Sequence, residues 1–127
     1  VKWLPEKNID VFFVTLNKAD KDYSPTTMYN DYSISESLFH WQSQSTTAEN
    51  SPTGQRYIHH KERGSKVLLF VREFKSDRVT GGAEAYTYLG TASYVKHEGS
   101  RPMNITWRLD RPIPAKFLKK TNKLVVG

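Results

Sequence analysis

The sequence predicts one mainly β domain with a smaller α part (α+β), and three observations carry this prediction. Short apolar segments recur at intervals of roughly 10 to 15 residues and are separated by Gly, Pro, Asn, Asp and Ser. Several of them alternate apolar and polar residues, as half-buried strands do. The chain has 127 residues, the usual size of a domain with a single core. We therefore expect residues 1–127 to form one mostly antiparallel sheet that curls into a barrel, with one or two short helices.

The first half of the chain is predicted to hold two strands and a helix. Residues 11–16, VFFVTL, are apolar and β-branched, and the turn-forming NKADKD ends that strand. Ser24 followed by Pro25 is typical of an N-cap with proline in the first helical turn, so a helix is expected from there to about Tyr32. Residues 38–45, LFHWQSQS, predict the second strand. We interpret TTAENSPTG as a polar loop and RYIHH as a short extended segment.

The second half predicts three further strands. Residues 66–74, KVLLFVREF, contain a continuous apolar run that is typical of a strand buried on both faces. Residues 83–95 form the next strand, which Gly90 splits or bulges. In MNITWRL, residues 103–109, the odd-numbered side chains are apolar and face one way, while Asn104, Thr106 and Arg108 face the other. A last helical turn is expected in AKFLKK. The aromatic residues expected in the core are Phe12, Phe13, Phe70, Trp107 and Phe117.

Charge favours an acidic partner. The formal net charge is +6 and cysteine is absent. A basic chain of this kind favours nucleic acid, with an anionic membrane surface as the lesser option. The absence of cysteine excludes disulfide scaffolds, cysteine nucleophiles and thiolate zinc sites, and it fits an intracellular protein. No apolar run reaches the roughly 20 residues that a membrane-spanning helix needs.

Candidate catalytic groups are sparse. His59 and His60 are neighbours, and adjacent strand residues point to opposite faces, so the pair is not expected to bind one metal ion. Asp31 and Glu36 could act as paired carboxylates, although capping or ion pairing is the favoured interpretation. We therefore expect no catalytic set, metal or cofactor in this domain.

Aromatic and polar residues cluster between residues 29 and 44. Tyr29 and Tyr32 share one face of the predicted helix, Asp31 lies between them, and the strand holding Trp41 follows. Rings beside a carboxylate and amides suit a pocket for a planar group that forms hydrogen bonds. An ordinary structural role in the core remains the alternative for the three rings.

Long consecutive motifs connect the chain with a known family. They include FVTLNKADKDYSPTTMYNDYSISESLFHWQSQSTT, SPTGQRYIHH, VLLFVREFK and YTYLGTASYVKHEGSRPMNITWRLDRPIPA. Over nearly its whole length the chain resembles the C-terminal domain of bacterial proteins that join a phospholipase-D-like nuclease to a DEAD-type helicase. These proteins are the SauUSI-like modification-dependent (type IV) restriction enzymes.

The resemblance implies a fragment from the C-terminus of a larger, ATP-dependent restriction endonuclease of the bacterial cytoplasm. The domain would be the reader that binds 5-methylcytosine or 5-hydroxymethylcytosine in double-stranded DNA. The implied fold is an SRA/PUA-like barrel, in which a base is flipped out of the duplex into a pocket. The partners would be modified DNA and the helicase and nuclease domains of the same chain.

Site residues are assigned on physical grounds within that framework. A flipped base needs ring faces and hydrogen bonds to its Watson-Crick edge. The expected base pocket consists of Tyr29, Asp31, Tyr32, Trp41, Gln42, Ser43 and Gln44. The expected contacts to the DNA backbone are Arg56, Lys61, Arg63, Lys66, Lys75, Arg78 and Arg101.

Two other functions fit the same residues. A sequence-indifferent nucleic-acid tether would show steep salt dependence and no preference for modified bases. A domain that couples helicase to nuclease would not touch DNA at all.

Overall fold

The fold is built around a single sheet. We analysed a computed structural model, which describes residues 1–17, 31–76 and 79–118. In chain order the elements are β1 (Lys2–Leu4), β2 (Ile9–Asn17), β3 (Tyr32–Ser33), β4 (Leu38–Gln42), α1 (Pro52–Ile58), β5 (Lys66–Phe74), β6 (Thr87–Glu98) and β7 (Asn104–Leu109). A further helical turn covers residues 115–118. No helix within these ranges has the length and apolar character to cross a membrane.

The seven strands form an open sheet in the order β1-β2-β5-β6-β7-β4-β3. Strands β2 and β5 run parallel, and every other neighbouring pair is antiparallel. The expectation of a mainly β, mostly antiparallel fold is confirmed, but the barrel is not formed. A barrel closes only when its first and last strands pair. Here β1 and β3 are short strands at opposite edges of the sheet.

Five of the predicted strands are present as β2, β4, β5, β6 and β7, although β4 ends at Gln42, short of the predicted boundary. The bulge expected at Gly90 is confirmed, because Leu69 lies opposite Gly90 while Phe70 lies opposite Tyr88. A second irregularity in β6, between Tyr94 and Lys96, was not predicted.

Helix α1 replaces the predicted loop and extended segment around residues 51–58. The Ser51 hydroxyl accepts a hydrogen bond from the Gly54 amide at 3.0 Å, and Pro52 occupies the first turn. The same pair of residues, an N-cap serine followed by proline, is the basis on which a helix is predicted to begin at Ser24 and Pro25. The helix predicted there falls mostly on residues 18–30, outside the described ranges, and Tyr32 lies in β3. The helical turn predicted in AKFLKK is confirmed for residues 115–118.

Within the described residues, one face of the sheet carries the core and no element covers the other, which we call the open face. Helix α1 contributes Tyr57 to the core, and the segment after β7 contributes Ile113 and Phe117. Phe12, Trp107 and Phe117 are buried as predicted. Phe13 is 47% exposed on the open face, so its predicted place in the core was wrong. Phe70 is also only partly buried, because β5 alternates between the two faces rather than being covered on both.

Candidate functional site

A concave site of about 360 Å³ lies on the open face, above β3, β4, β7 and β6. We call it the open-face pocket. Its volume is within the range of ligand pockets, about 300–1,000 Å³. Much of its lining comes from three rows of side chains that run across neighbouring strands, although Gln42 and Ser93, at the ends of two of these rows, do not line it.

The central row contains Tyr32, His40, Thr106 and Lys96, one from each of four strands, each opposite the next. The Tyr32 and His40 rings are stacked, with centroids 4.6 Å apart and an interplanar angle of 15°. This pair forms a flat aromatic wall at one side of the pocket. Lys96 places a cation at the other end of the row.

The second row contains Gln42, Asn104 and Glu98. The Gln42 side-chain amide donates a hydrogen bond to Asn104 Oδ1 at 3.2 Å. Since that bond uses the Asn104 oxygen, the amide nitrogen remains as a donor for a ligand. Glu98 adds a carboxylate acceptor, so this row offers both kinds of hydrogen-bonding group.

The third row contains Leu38, Arg108 and Ser93. Arg108 is exposed, and within residues 1–17, 31–76 and 79–118 no ion pair to it is found. Leu38, Ile34 and Val95 supply the apolar part of the pocket lining. The pocket therefore combines an aromatic wall, an apolar recess and groups of both charges.

The structure does not bring Tyr32 and Trp41 into one pocket. Trp41 faces the core, is 5% exposed, and stacks on Phe12 with centroids 4.2 Å apart. Tyr32 lies on the open face because it stands opposite His40, the neighbour of Trp41 on β4. Successive strand residues point to opposite faces, which separates the two rings. Tyr29, the third predicted ring, falls outside the described residues.

The remaining predicted pocket residues differ in their surroundings. Asp31 Oδ1 accepts a hydrogen bond from the Gln42 backbone amide at 2.8 Å. The Ser43 hydroxyl accepts from the Met103 amide at 2.8 Å and donates to the Gln44 carbonyl at 3.1 Å. Gln44 itself is exposed. Of the expected set, Tyr32 lines the pocket, Gln42 braces Asn104, and Asp31 and Ser43 fix the end of β4.

The predicted DNA-backbone residues divide into one buried ion pair and several exposed cations. The Arg56 guanidinium is held by Asp10, which is completely buried. Arg78 lies outside the described residues. Five others are exposed on the surface: Lys61, Arg63, Lys66, Lys75 and Arg101.

Two of the exposed lysines lie at a second hollow. Lys61 and Lys66 line this hollow of about 320 Å³ together with Ser93. Ser93 also stands opposite Arg108 in the third row of the open-face pocket.

The histidine pair lies at the end of α1 rather than in a strand as predicted. His59 is the C-cap residue. His60 is buried; it accepts a hydrogen bond from the Tyr94 amide at Nε2 and pairs through Nδ1 with the Ser65 carbonyl, both at 3.0 Å. In the part of the chain that the structure describes, no three His, Asp or Glu side chains are arranged to bind a metal ion.

Most pocket residues were not singled out from the sequence. The site takes its residues from four strands that are distant along the chain, so no local motif marks it. One signal was present: the alternation of residues 103–109 placed Asn104, Thr106 and Arg108 together on the polar face.

Comparison with known proteins identifies a family without a known activity. Residues 4–120 match the family model described as "Domain of unknown function (DUF3427)". The search of curated proteins gave no match. Because the matched residues make up almost the whole chain, the protein belongs to the DUF3427 family.

Proposed function

We propose that this domain recognises DNA and holds a modified cytosine, flipped out of the duplex, in the open-face pocket. The observation that carries the proposal is the stacked pair of Tyr32 and His40 beside a row of hydrogen-bonding groups. A flat wall next to donors and acceptors is what an extrahelical base requires. The formal net charge of +6 supports an anionic partner.

The groups in the pocket suit the edge of cytosine. That edge presents one amino donor and two acceptors, a nitrogen and a carbonyl oxygen. Glu98 would accept from the amino group, and the Asn104 amide and the Thr106 hydroxyl would donate to the acceptors. Stacking of a base on an aromatic ring contributes about 1–3 kcal/mol. That is comparable with the few kcal/mol that removing a base from the duplex costs.

The modification would occupy the apolar part of the lining. Ile34, Leu38 and Val95 border the pocket beside the polar rows. A 5-methyl group would bury apolar surface there, at roughly 25 cal/mol per Å² removed from water. A 5-hydroxymethyl group would also need a hydrogen-bonding partner beside this apolar lining.

The exposed cations would bind the phosphate backbone. Lys96 and Arg108 line the pocket, and Lys61 and Lys66 line the second hollow. Phosphate contacts of this kind provide affinity without sequence information and weaken as salt rises. They would position the duplex so that one base reaches the pocket.

The resemblance noted in the sequence supports a proposal for the setting of this activity. The domain would be the C-terminal target-recognition part of a SauUSI-like type IV restriction enzyme in the bacterial cytoplasm. Helicase and nuclease domains of the same parent chain would perform the ATP-dependent and cleavage steps, and this domain would bind without catalysing a reaction.

A sequence-indifferent tether is the second candidate. The exposed Lys61, Arg63 and Lys66 favour it, because the loop that carries them lies outside the open-face pocket and such cations bind phosphates without reading the base. A tether would bind modified and unmodified DNA equally. Its affinity would depend mainly on salt.

Competition binding separates these functions. The domain is titrated with matched duplexes that carry cytosine, 5-methylcytosine or 5-hydroxymethylcytosine at one position, at a single salt concentration near physiological. We expect at least a tenfold preference for a modified duplex, about 1.4 kcal/mol. Equal affinity for all three would contradict the reader and support the tether. Absence of binding would support a domain that couples helicase to nuclease.

A further inference from the structure

A second feature of the open face is a row of aromatic rings near the start of β6, at the end of this strand that lies away from the open-face pocket. Phe13 stands opposite Phe70, and Phe70 stands opposite Tyr88. The ring centroids are 5.5 Å apart in the first pair and 4.9 Å apart in the second. Phe13 is 47% and Tyr88 41% exposed. We call these three residues the aromatic row.

Two arginines flank the aromatic row. Arg111 lies over the Tyr88 ring, 5.2 Å from its centroid. Arg72 lies over Tyr86 at 4.4 Å, and Tyr86 in turn contacts Phe13 edge-on. Cations therefore stand at both sides of the exposed rings, at cation–π distances.

The bulge in β6 makes room for one of these cations. Gly90 has φ +104, a conformation that other residues rarely adopt, and a β-carbon there would lie 2.9 Å from Arg111 Nε. The Arg111 side chain thus lies directly against the strand backbone. Its place beside Tyr88 depends on a glycine at this position.

We propose that the aromatic row, with Arg72 and Arg111, binds single-stranded DNA by stacking unpaired bases. The proposal rests on the proposed function, since it assigns the DNA beside the flipped base to a second surface. Aromatic rings with adjacent cations match a base and its phosphate, and this combination recurs in proteins that bind single strands. A protein partner would not need guanidinium groups stacked on the rings.

The aromatic row and the open-face pocket lie along one strand. Tyr88 and Lys96 both belong to β6 and point to the open face, at most roughly 26 Å apart at about 3.3 Å per residue. A few unpaired nucleotides would span this distance. The two sites together would favour DNA that is already locally open, such as a helicase produces.

Binding of a labelled, unmodified oligothymidylate tests the proposal. Fluorescence anisotropy is measured for the whole domain and for the F13S/Y88S variant, with V79S as the matched control because Val79 is 94% exposed. We expect each lost ring to weaken binding about 5- to 140-fold and V79S to bind as the parent does. Arg111→Ala is compared with Lys7→Ala, an equal loss of charge at an exposed site with no assigned DNA contact, and the first should weaken binding more.

Three outcomes overturn the proposal. One is unchanged oligothymidylate affinity in F13S/Y88S or, if that variant does not fold, in Arg111→Ala. Another is equal weakening by Arg111→Ala and Lys7→Ala, which would mean that charge alone is responsible. The third is a dimer, seen by sedimentation, that F13S/Y88S converts to monomer, because the row would then bind a second copy. The preference for the modified duplex is measured in the same variants. If a variant keeps this preference while it loses single-strand binding, the open-face pocket and the aromatic row are separate sites.

Discussion

The guanidinium of Arg56 on α1 donates two hydrogen bonds, of 2.8 and 2.9 Å, to the completely buried carboxylate of Asp10 on β2. The hydrogen bond with Asp10 is the main cause that raises the pKa of Arg56. The Trp3 ring covers the same guanidinium at 4.2 Å. This ion pair fixes the helix to the strand on the core side of the sheet, opposite the open-face pocket.

Loss of Arg56 is expected to destabilise the fold strongly. In Arg56→Ala the Asp10 carboxylate stays buried without its partner, and breaking a buried pair in this way costs about 3–5 kcal/mol. Urea denaturation followed by circular dichroism measures the loss. Arg56→Lys should recover only part of it, since lysine cannot reproduce the two parallel bonds.

A double replacement separates charge burial from packing. D10L/R56M removes both charges while filling similar space, and such replacements of buried pairs are often neutral or stabilising. We expect its free energy of unfolding to lie well above that of Arg56→Ala. If both variants lose the same stability, the ion pair is not what holds α1 in place.

Tyr57 is expected to make stability fall at alkaline pH. Burial, with Asp10 as the second cause, raises the pKa of Tyr57 from 10.0 to about 12. Between these values the unfolded chain has lost the phenolic proton while the folded protein keeps it, so the free energy of unfolding falls as pH rises. The slope is about 1.4 kcal/mol per pH unit, and the contribution is complete below pH 10.

Denaturation of the parent and of Tyr57→Phe at pH 8, 10 and 11 tests this slope. The phenylalanine variant cannot ionise at this position, so its stability should fall less between pH 10 and 11. Parallel losses in the two proteins would show that Tyr57 titrates in the folded state as it does in the unfolded chain.

His60 is expected to be essential for the second irregularity in β6. Its two nitrogens bind the Tyr94 amide and the Ser65 carbonyl in a buried site. His60→Ala leaves both backbone groups without this partner, and an unsatisfied buried group costs about 1–3 kcal/mol. The predicted signs are a lower free energy of unfolding and faster hydrogen exchange at the Tyr94 amide. Unchanged exchange there would contradict the assigned role, and His59→Ala, at the neighbouring and less buried histidine, is the control.

Gly54 is expected to tolerate no side chain. A β-carbon there would overlap the Ala48 carbonyl oxygen, a backbone atom that cannot move away cheaply. Gly54→Ala should therefore lower stability by about 1–3 kcal/mol, as overpacking does, despite the higher helix propensity of alanine. Thr53→Ala in the same turn is the control, and a thermal melt measures both. A melting temperature in Gly54→Ala equal to that of the control would show that the loop before α1 can shift.

The strands were predictable where apolar and polar residues alternate along the chain in step with the buried and open faces of the sheet. Residues 103–109 alternate cleanly, and the structure buries Met103, Ile105, Trp107 and Leu109 together. Helix α1 was missed because its cap, Ser51 with Pro52, lies inside a polar segment that resembles a loop. Closure into a barrel depends on whether the edge strands β1 and β3 pair with each other. The local sequence of each strand does not predict that pairing.

The candidate site was only partly predictable for a similar reason. Clustering along the chain put Trp41 with Tyr32, but the period of the strand places them on opposite faces. The partners that Tyr32 does have on the open face, Thr106 and Lys96 in the central row, come from strands far away in sequence. Pairing register, rather than proximity along the chain, assembles the pocket.

The most direct test of the account is the ratio of dissociation constants for matched duplexes carrying cytosine and 5-methylcytosine. It is measured for the parent domain, for Tyr32→Ala and for Gln44→Ala, an exposed residue beyond the end of β4. The account predicts a ratio of about ten or more in the parent and in Gln44→Ala, and a ratio near one in Tyr32→Ala with its fold intact. A parent ratio near one, or a full preference retained by Tyr32→Ala, would contradict the claim that the open-face pocket reads the modified base.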